Sequence, residues 1–406
     1  MFHVKHWMMK RGNAMEDIRT SSADMALGRM IHTAVREGAS DIHIEPGEKT
    51  IRIRFRLDGQ LVTRFQAPIA MAQGLAVRAK VLGRMNVGES RLPQDGSYGE
   101  EIDGISYDFR ISILPSMYGE TIVIRILSGR VDFIENNELG MLPKQKALFQ
   151  KALQRKQGLI LTTGPTGSGK TSTLYAALKL LNREEVSIIS IEDPVEYRLP
   201  GITQIQVNEK AGMTFAGGLR SLVRQDPDIV MIGEIRDKET AEIAIHAALT
   251  GHLVLSTLHT NGAASAPLRL MDMGIPPYLL SASLSLVMAQ RLVRKLCPYC
   301  RKEMALTKSM CYEQDIPLSY EGTVVYSAEG CEHCQGKGRQ GRIGVFEMLP
   351  IGKEEREIIH HQFSVDRLRE QMEKQGYFTM GQSALVMMEQ GILSPKEAGQ
   401  MAQEEE

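Results

Sequence analysis

Gly164-Pro165-Thr166-Gly167-Ser168-Gly169-Lys170-Thr171 fits the pattern G-x4-G-K-[ST] in full, a spacing suited to holding a polyphosphate. Its glycines let successive backbone N–H groups turn inward around phosphate oxygens, where a Cβ would stand in the way. Lys170 has the reach for the β- and γ-phosphates, and Thr171 can offer its hydroxyl to Mg²⁺. An accidental glycine-rich turn would lack the context found here. An apolar strand pattern at residues 159–162 precedes the loop, and a helical pattern through Leu174, Ala177, Leu178 and Leu181 follows it. A helix opening at the loop adds the partial positive charge of its N-terminus. The chemistry is nucleotide binding, extended to hydrolysis if acids stand nearby.

Two acidic clusters qualify. Asp228-Ile-Val-Met-Ile-Gly-Glu234 is an apolar strand ending in a carboxylate, like a Walker B element in which Gly233 replaces the usual Asp. Glu192-Asp193-Pro194-Val195-Glu196 follows the apolar run 186–191. Either alone reads as a solvated strand end. Together, after a phosphate loop, they predict acids at the carboxyl edge of one sheet, where α/β folds bind ligands. Among His246, His252 and His259, the last lies just beyond a strand at 253–257. It is the one placed to hydrogen-bond a γ-phosphate.

Four of the five cysteines form two pairs, Cys297-Pro-Tyr-Cys300 and Cys331-Glu-His-Cys334. Each C-x2-C turn can bite one tetrahedral ion while the intervening chain folds away, which predicts a structural Zn²⁺ with no open coordination position. Neither pair follows a thioredoxin-like strand, so a redox role is disfavoured. Cys311 is the odd one out, and His333 is not needed as a ligand.

The elements that must position these groups fall in two styles. Residues 24–37 present Leu27, Met30, Ile31, Ala34 and Val35 on one helical face. Ile51, Ile53, Phe55 and Leu57 alternate with Arg52, Arg54 and Arg56 as in a half-buried strand. A helix at about 69–86 and strands around 105–111 and 122–126 complete an N-terminal α+β domain over 24–128, after an unplaced extension at 1–23. A linker is expected at 129–143. From residue 144 to 406, helices alternate with short apolar strands, the grammar of a parallel sheet covered on both faces. The fold class is therefore α/β, a phosphate-loop domain with a smaller N-terminal domain and a zinc-binding insertion at 290–345, ending in a helical tail.

At 406 residues the chain is long enough for two or three domains. Its 48 Lys+Arg against 49 Asp+Glu disfavour a generally basic nucleic-acid binder. The longest apolar stretch, 278–292, is broken by serines, Gln290 and Arg291 and does not read as a membrane span. The N-terminus lacks the pattern of a secretory signal, and the chain reads as cytoplasmic, with translation starting at Met1 or at Met8, Met9 or Met15. The terminal Glu404-Glu405-Glu406 reads as a solvated end.

Several further segments complete a pattern: Ser40-Asp-Ile-His-Ile-Glu45, Arg54-Phe-Arg-Leu-Asp-Gly59, Arg91-Leu-Pro-Gln-Asp-Gly96, Gly233-Glu-Ile-Arg-Asp237 and Leu249 to Asn261. With the loop and Ile191-Glu-Asp-Pro-Val-Glu196, they resemble the ATPases of type II secretion and type IV pilus assembly, including those of competence pseudopili, from about Ala39 to the tail. The resemblance implies a RecA-like P-loop ATPase domain after a PAS-like N-terminal one, ATP and Mg²⁺ as ligands, Glu196 activating or positioning water, and Glu234 acting with Mg²⁺. It implies that Arg110 and Arg125 bring positive charge from the N-terminal domain, while Arg220, Arg224 and Arg236 lie near the nucleotide or a subunit contact. It implies a homohexamer on the cytoplasmic face of the membrane, working an integral membrane platform protein and, indirectly, a pilin or pseudopilin machinery. No direct nucleic-acid partner is expected. The tetracysteine module is common in the assembly and secretion branches and generally absent from retraction ATPases. The short N-terminal region looks more like that of competence pseudopilus ATPases of Gram-positive bacteria. Competing readings are a retraction ATPase, a nucleotide-gated regulatory protein, and a nucleic-acid translocase on the same core.

Overall fold

The computed structural model describes residues 22–128 and 139–403. The expected extension lies outside the described residues up to residue 21. So do residues 129–138 of the expected linker, and the Glu404–Glu406 end. The chain divides into two compact units, Met1–Val131 and Asp132–Glu406.

Among its described residues, the first unit is an antiparallel sheet with two α-helices. Its strands are β1 (Asp41–Pro46), β2 (Thr50–Leu57), β3 (Gln60–Pro68), β4 (Gln94–Ile102), β5 (Ile105–Ser116) and β6 (Gly119–Ser128), in the order β3-β2-β1-β6-β5-β4. Period-two alternation puts Ile42, Ile44, Ile53, Phe55, Phe109, Ile111, Ile122 and Ile124 in one buried core with the helices Ala23–Arg36 and Ala72–Leu82. The other face is polar. Arg56, Asp41, Arg125, Arg110 and Ser97 stand opposite one another in a single row across five strands.

Sequence patterning was silent on β4, whose residues QDGSYGEEI carry almost no apolar signal. Pairing with β5 along its whole length makes it a strand at the sheet edge. The helix expected to reach residue 86 stops at Leu82. Gly83 caps it, and a Cβ there would meet the Met85 side chain at 2.6 Å.

The second unit holds a seven-stranded sheet. Its members are β7 (Gly158–Thr163), β8 (Ile188–Glu192), β9 (Thr203–Gln206), β10 (Ile229–Ile232), β11 (Leu253–Leu258), β12 (Leu284–Leu296) and, after the insertion strands β13 (Arg301–Ala305) and β14 (Val324–Ala328), β15 (Arg339–Pro350). The order is β15-β12-β7-β11-β10-β8-β9, with every pairing parallel except β12 with β15. Every residue of β7, β8, β10 and β11 is buried, so both faces of this sheet are covered. The helices Lys170–Leu181, Phe215–Leu222 and Lys238–Leu249 supply much of that cover, and four helices from Lys353 to Gln403 form the tail.

Two details are set by the structure here. The apolar stretch 278–292 splits at Leu284 into the helix Pro277–Ser283 and the strand β12. The cysteine insertion is narrower than 290–345, because β12 runs in the main sheet to Leu296 and β15 rejoins it at Arg339. Among the described residues no helix is long and apolar enough to cross a membrane.

Candidate functional site

The parallel strands all end on one edge, and the predicted chemistry collects there. β7 runs straight into the loop. Gly164, Gly167 and Gly169 adopt φ values of +149°, +79° and +89°, a region that L side chains rarely enter. Lys170 opens the helix Lys170–Leu181, and its Nζ donates to the carbonyls of Gly164 at 2.8 Å and Pro165 at 3.0 Å. Burial is the main influence on this ammonium and holds it below its ordinary range. Glu234 opposes that effect and Arg291 reinforces it. The Ser168 hydroxyl is buried without a hydrogen-bond partner, while Thr171 faces solvent in the first helical turn. Inward-turning backbone, an unpartnered buried hydroxyl, a converging lysine and an open threonine fit a phosphate tail with Mg²⁺.

Loop geometry also depends on a residue the sequence did not single out. Gln290 of β12 is 2% exposed, and its Oε1 accepts from the Thr173 hydroxyl at 2.7 Å. A Cβ on Gly164 would meet the Gln290 carbonyl oxygen at 2.5 Å, and one on Gly169 would meet its Nε2 at 2.8 Å. The glycines are thus required by close packing against β12 as well as by their dihedral angles.

Glu234 follows β10 and is fixed from both sides. The Gly233 N–H donates to the Ile191 carbonyl at 2.8 Å, and the Thr257 hydroxyl donates to the Gly233 carbonyl at 2.8 Å. His259, at the end of β11, places Nε2 3.5 Å from Glu234 Oε2. Arg236 bonds Glu234 through Nη2 and reaches Asp193 through Nη1 at 3.5 Å. Lys170, Glu234, His259, Arg236 and Asp193 are therefore one electrostatically linked set. His246 is exposed on its helix, and His252 turns Nδ1 to the Ala247 carbonyl at 3.0 Å, so neither joins it.

The acidic segment after β8 divides its labour. Glu192 is buried and satisfied by the Tyr175 and Ser190 hydroxyls and by Gln204 Nε2 at 3.1 Å, which is a structural position. Tyr175 is the second residue that sequence reading missed. Burial, and then the Glu192 carboxylate, push its phenol up, so it stays protonated and donates. The same oxygen accepts the N–H groups of Glu196 at 3.1 Å and Tyr197 at 3.3 Å. The loop helix thereby holds the backbone of half-buried Glu196. The helical apolar pattern through Leu174, Ala177, Leu178 and Leu181 passes over Tyr175, and nothing local marks its hydroxyl.

The other arginines differ. Arg220 pairs with exposed Glu239, and Arg224 Nη2 meets the Ser221 hydroxyl at 3.4 Å, so the described contacts of both lie away from the linked set. In the N-terminal unit, Arg125 Nε donates to Asp41 Oδ1 at 3.1 Å, and Arg56 Nε lies 3.4 Å from Asp41 Oδ2. Arg110 is the direct cross-strand neighbour of Arg125.

Cys297, Cys300, Cys331 and Cys334 bring their sulfurs within 4.8 Å of one another. Three of the Sγ–Sγ separations are 3.8 Å. Four Zn–S bonds of about 2.3 Å in a tetrahedron require an edge of about 3.8 Å, so this donor set fits zinc. Burial acts to raise the Cys334 thiol, but the N–H groups of Cys331 and Gly338, each 3.1 Å from its sulfur, and the neighbouring thiols hold it down to about 6. Cys311 is buried in the insertion, and His333 stacks on Tyr299 at 4.1 Å.

A phosphate loop on a parallel sheet, with carboxylate and histidine at the same edge, defines a RecA-like P-loop ATPase fold carrying a tetracysteine insertion. Residues 19–400 match the family described as type II/IV secretion system protein, and the chain belongs to that family. It is 46% identical over 374 residues to the protein transport protein HofB homolog of Escherichia coli K12, covering 91% of this chain and 79% of that one. Against the type IV pilus assembly ATPase PilB of Pseudomonas aeruginosa it is 43% identical over 380 residues, covering 93% and 67%. Among solved structures, the pilus retraction motor PilT with bound ADP aligns at TM-score 0.63 and 28% identity, over 91% of this chain and 94% of that one. The Legionella pneumophila ATPase DotB aligns at TM-score 0.71 and 21% identity over 96% and 98%, a likeness of fold alone.

Proposed function

We propose that this chain is a Mg²⁺-dependent ATPase motor of the assembly and secretion kind, working as a homohexamer at the cytoplasmic face of a membrane. The observation that carries the reading is the linked set at the carboxyl edge, where Lys170, Glu234 and His259 stand together beside the loop. In this reading the loop N–H groups and Lys170 bind the phosphate tail, and Thr171 and Glu234 hold Mg²⁺, which when bound neutralises charge on the β- and γ-oxygens. Glu196 positions the attacking water, and His259 keeps Glu234 oriented and meets the γ-phosphate. Arg236 reaches the same edge. Arg110 and Arg125 are the residues of the N-terminal unit that the family resemblance assigns to phosphate charge. Arg220 and Arg224 serve a subunit contact.

The tetracysteine centre supports extension or export over retraction, with an integral membrane platform as the partner and a pilin or pseudopilin machinery downstream. The test is steady-state phosphate release by the purified full chain. Lys170→Ala should abolish turnover with the fold retained, and Glu196→Ala and Glu234→Ala should each suppress it. Substantial turnover by folded Lys170→Ala would remove the assigned site. Binding without turnover in the wild type would leave a nucleotide-gated regulator instead, and stimulation by DNA would revive a translocase.

A further inference from the structure

We propose that Arg291 reads the terminal phosphate of the bound nucleotide from within the same chain, so that it separates ATP from ADP. This rests on the nucleotide reading of the loop. Ala289 of β12 is in register with Thr163, the last residue of β7, so Arg291 stands two residues on, beside the loop itself. Successive strand residues point to opposite faces. Gln290 turns under the loop to Thr173, while Arg291 sends its Nη2 to Asn261 Oδ1 at 3.4 Å. Asn261 lies beyond the end of β11, and β7 lies between β12 and β11. The guanidinium is thus held between the two strands that flank β7, Nη1 on the Gln290 carbonyl at 3.4 Å and Nη2 on Asn261, two residues from His259, whose ring approaches Glu234 at 3.5 Å.

That position is close to Lys170, since the Arg291 charge helps hold the Lys170 ammonium down. Two cations beside one loop repel each other until a polyanion lies between them. A planar fork of five donors suits a phosphate with free equatorial oxygens better than a point charge does. The loop N–H groups would enclose the β-phosphate, so the oxygens left for Arg291 would belong to the terminal phosphate.

Calorimetric titration of the full chain with adenylyl-imidodiphosphate and with ADP, both with Mg²⁺, tests this. Arg291→Ala should weaken the triphosphate analogue by about 10-fold or more, the loss of one charge-assisted bond, and leave ADP within about 2-fold. Arg291→Lys should fall between them. Retained ADP binding also reports that the variant is folded. Unchanged analogue binding, or an equal loss for both nucleotides, overturns the proposal. Lys170→Ala is the reference: if it binds both nucleotides like the wild type, the nucleotide reading fails, which is a different result.

Discussion

Strand β12 meets the phosphate loop at Gln290 and, a few residues later, delivers Cys297 to the tetracysteine centre. The two sites hang from one strand but are built by different means. The loop's acids, histidine and supporting tyrosine come from Tyr175 to His259, brought together by parallel strand pairing. Its lysine bonds two carbonyls of the loop itself. The cysteine centre is two tight turns whose thiols face one another. One site is shaped by the fold. The other would shape the fold around it, because four sulfurs at tetrahedral spacing would gain their main stabilisation from a bound ion.

The largest expected effect tests that contrast. Cys300→Ser combined with Cys334→Ser should release one equivalent of zinc, measured by elemental analysis, and open residues 297–338 to proteolysis. The melting temperature should fall by more than ~5 °C, since ion binding is folding free energy here. Nucleotide affinity should change far less. If affinity fell in proportion to the zinc lost, the two sites would be one cooperative unit. Next in size is Gly169→Ala. Its Cβ would lie 2.8 Å from Gln290 Nε2 at a φ of +89°, costing about 1–3 kcal/mol. Zinc content should be unchanged while nucleotide affinity drops, as titration would show.

The difference in construction also explains what could be read in the sequence. Both motifs are local, so the loop and the cysteine pairs were legible, and so were the apolar strands β7, β10 and β11, whose runs are fully buried. β4 and β9 were not, because edge strands made of QDGSYGEEI and TQIQ owe their form to neighbours. Gln290 and Tyr175 escaped for a related reason. Each is a buried polar residue whose partner lies elsewhere in the chain, Gln290 far off in sequence, and no periodicity encodes that pairing. The arginines of the N-terminal sheet were placed by family pattern, and only strand register shows that Arg56, Asp41, Arg125 and Arg110 form one row.

A comparable cost in stability, with a smaller effect on nucleotide affinity, is expected at Gln290→Leu. The Thr173 hydroxyl would lose its buried acceptor, which costs about 1–3 kcal/mol, while the shape of the side chain is nearly kept. A modest fall in melting temperature with zinc retained would show that β12 carries the two sites without coupling them. Zinc loss in this variant would show the strand transmitting strain over its whole length. Smallest of all is Arg220→Ala. The ion pair with Glu239 joins two exposed side chains, so its removal should change stability by less than ~0.5 kcal/mol in a denaturant titration. Because its ion-pair partner is Glu239 on the helix Lys238–Leu249 and not Glu234 or Asp193, nucleotide affinity of the isolated chain should also be unchanged. A loss of turnover confined to the assembled ring would assign Arg220 to a subunit boundary, and a loss of affinity in the isolated chain would return it to the phosphate edge.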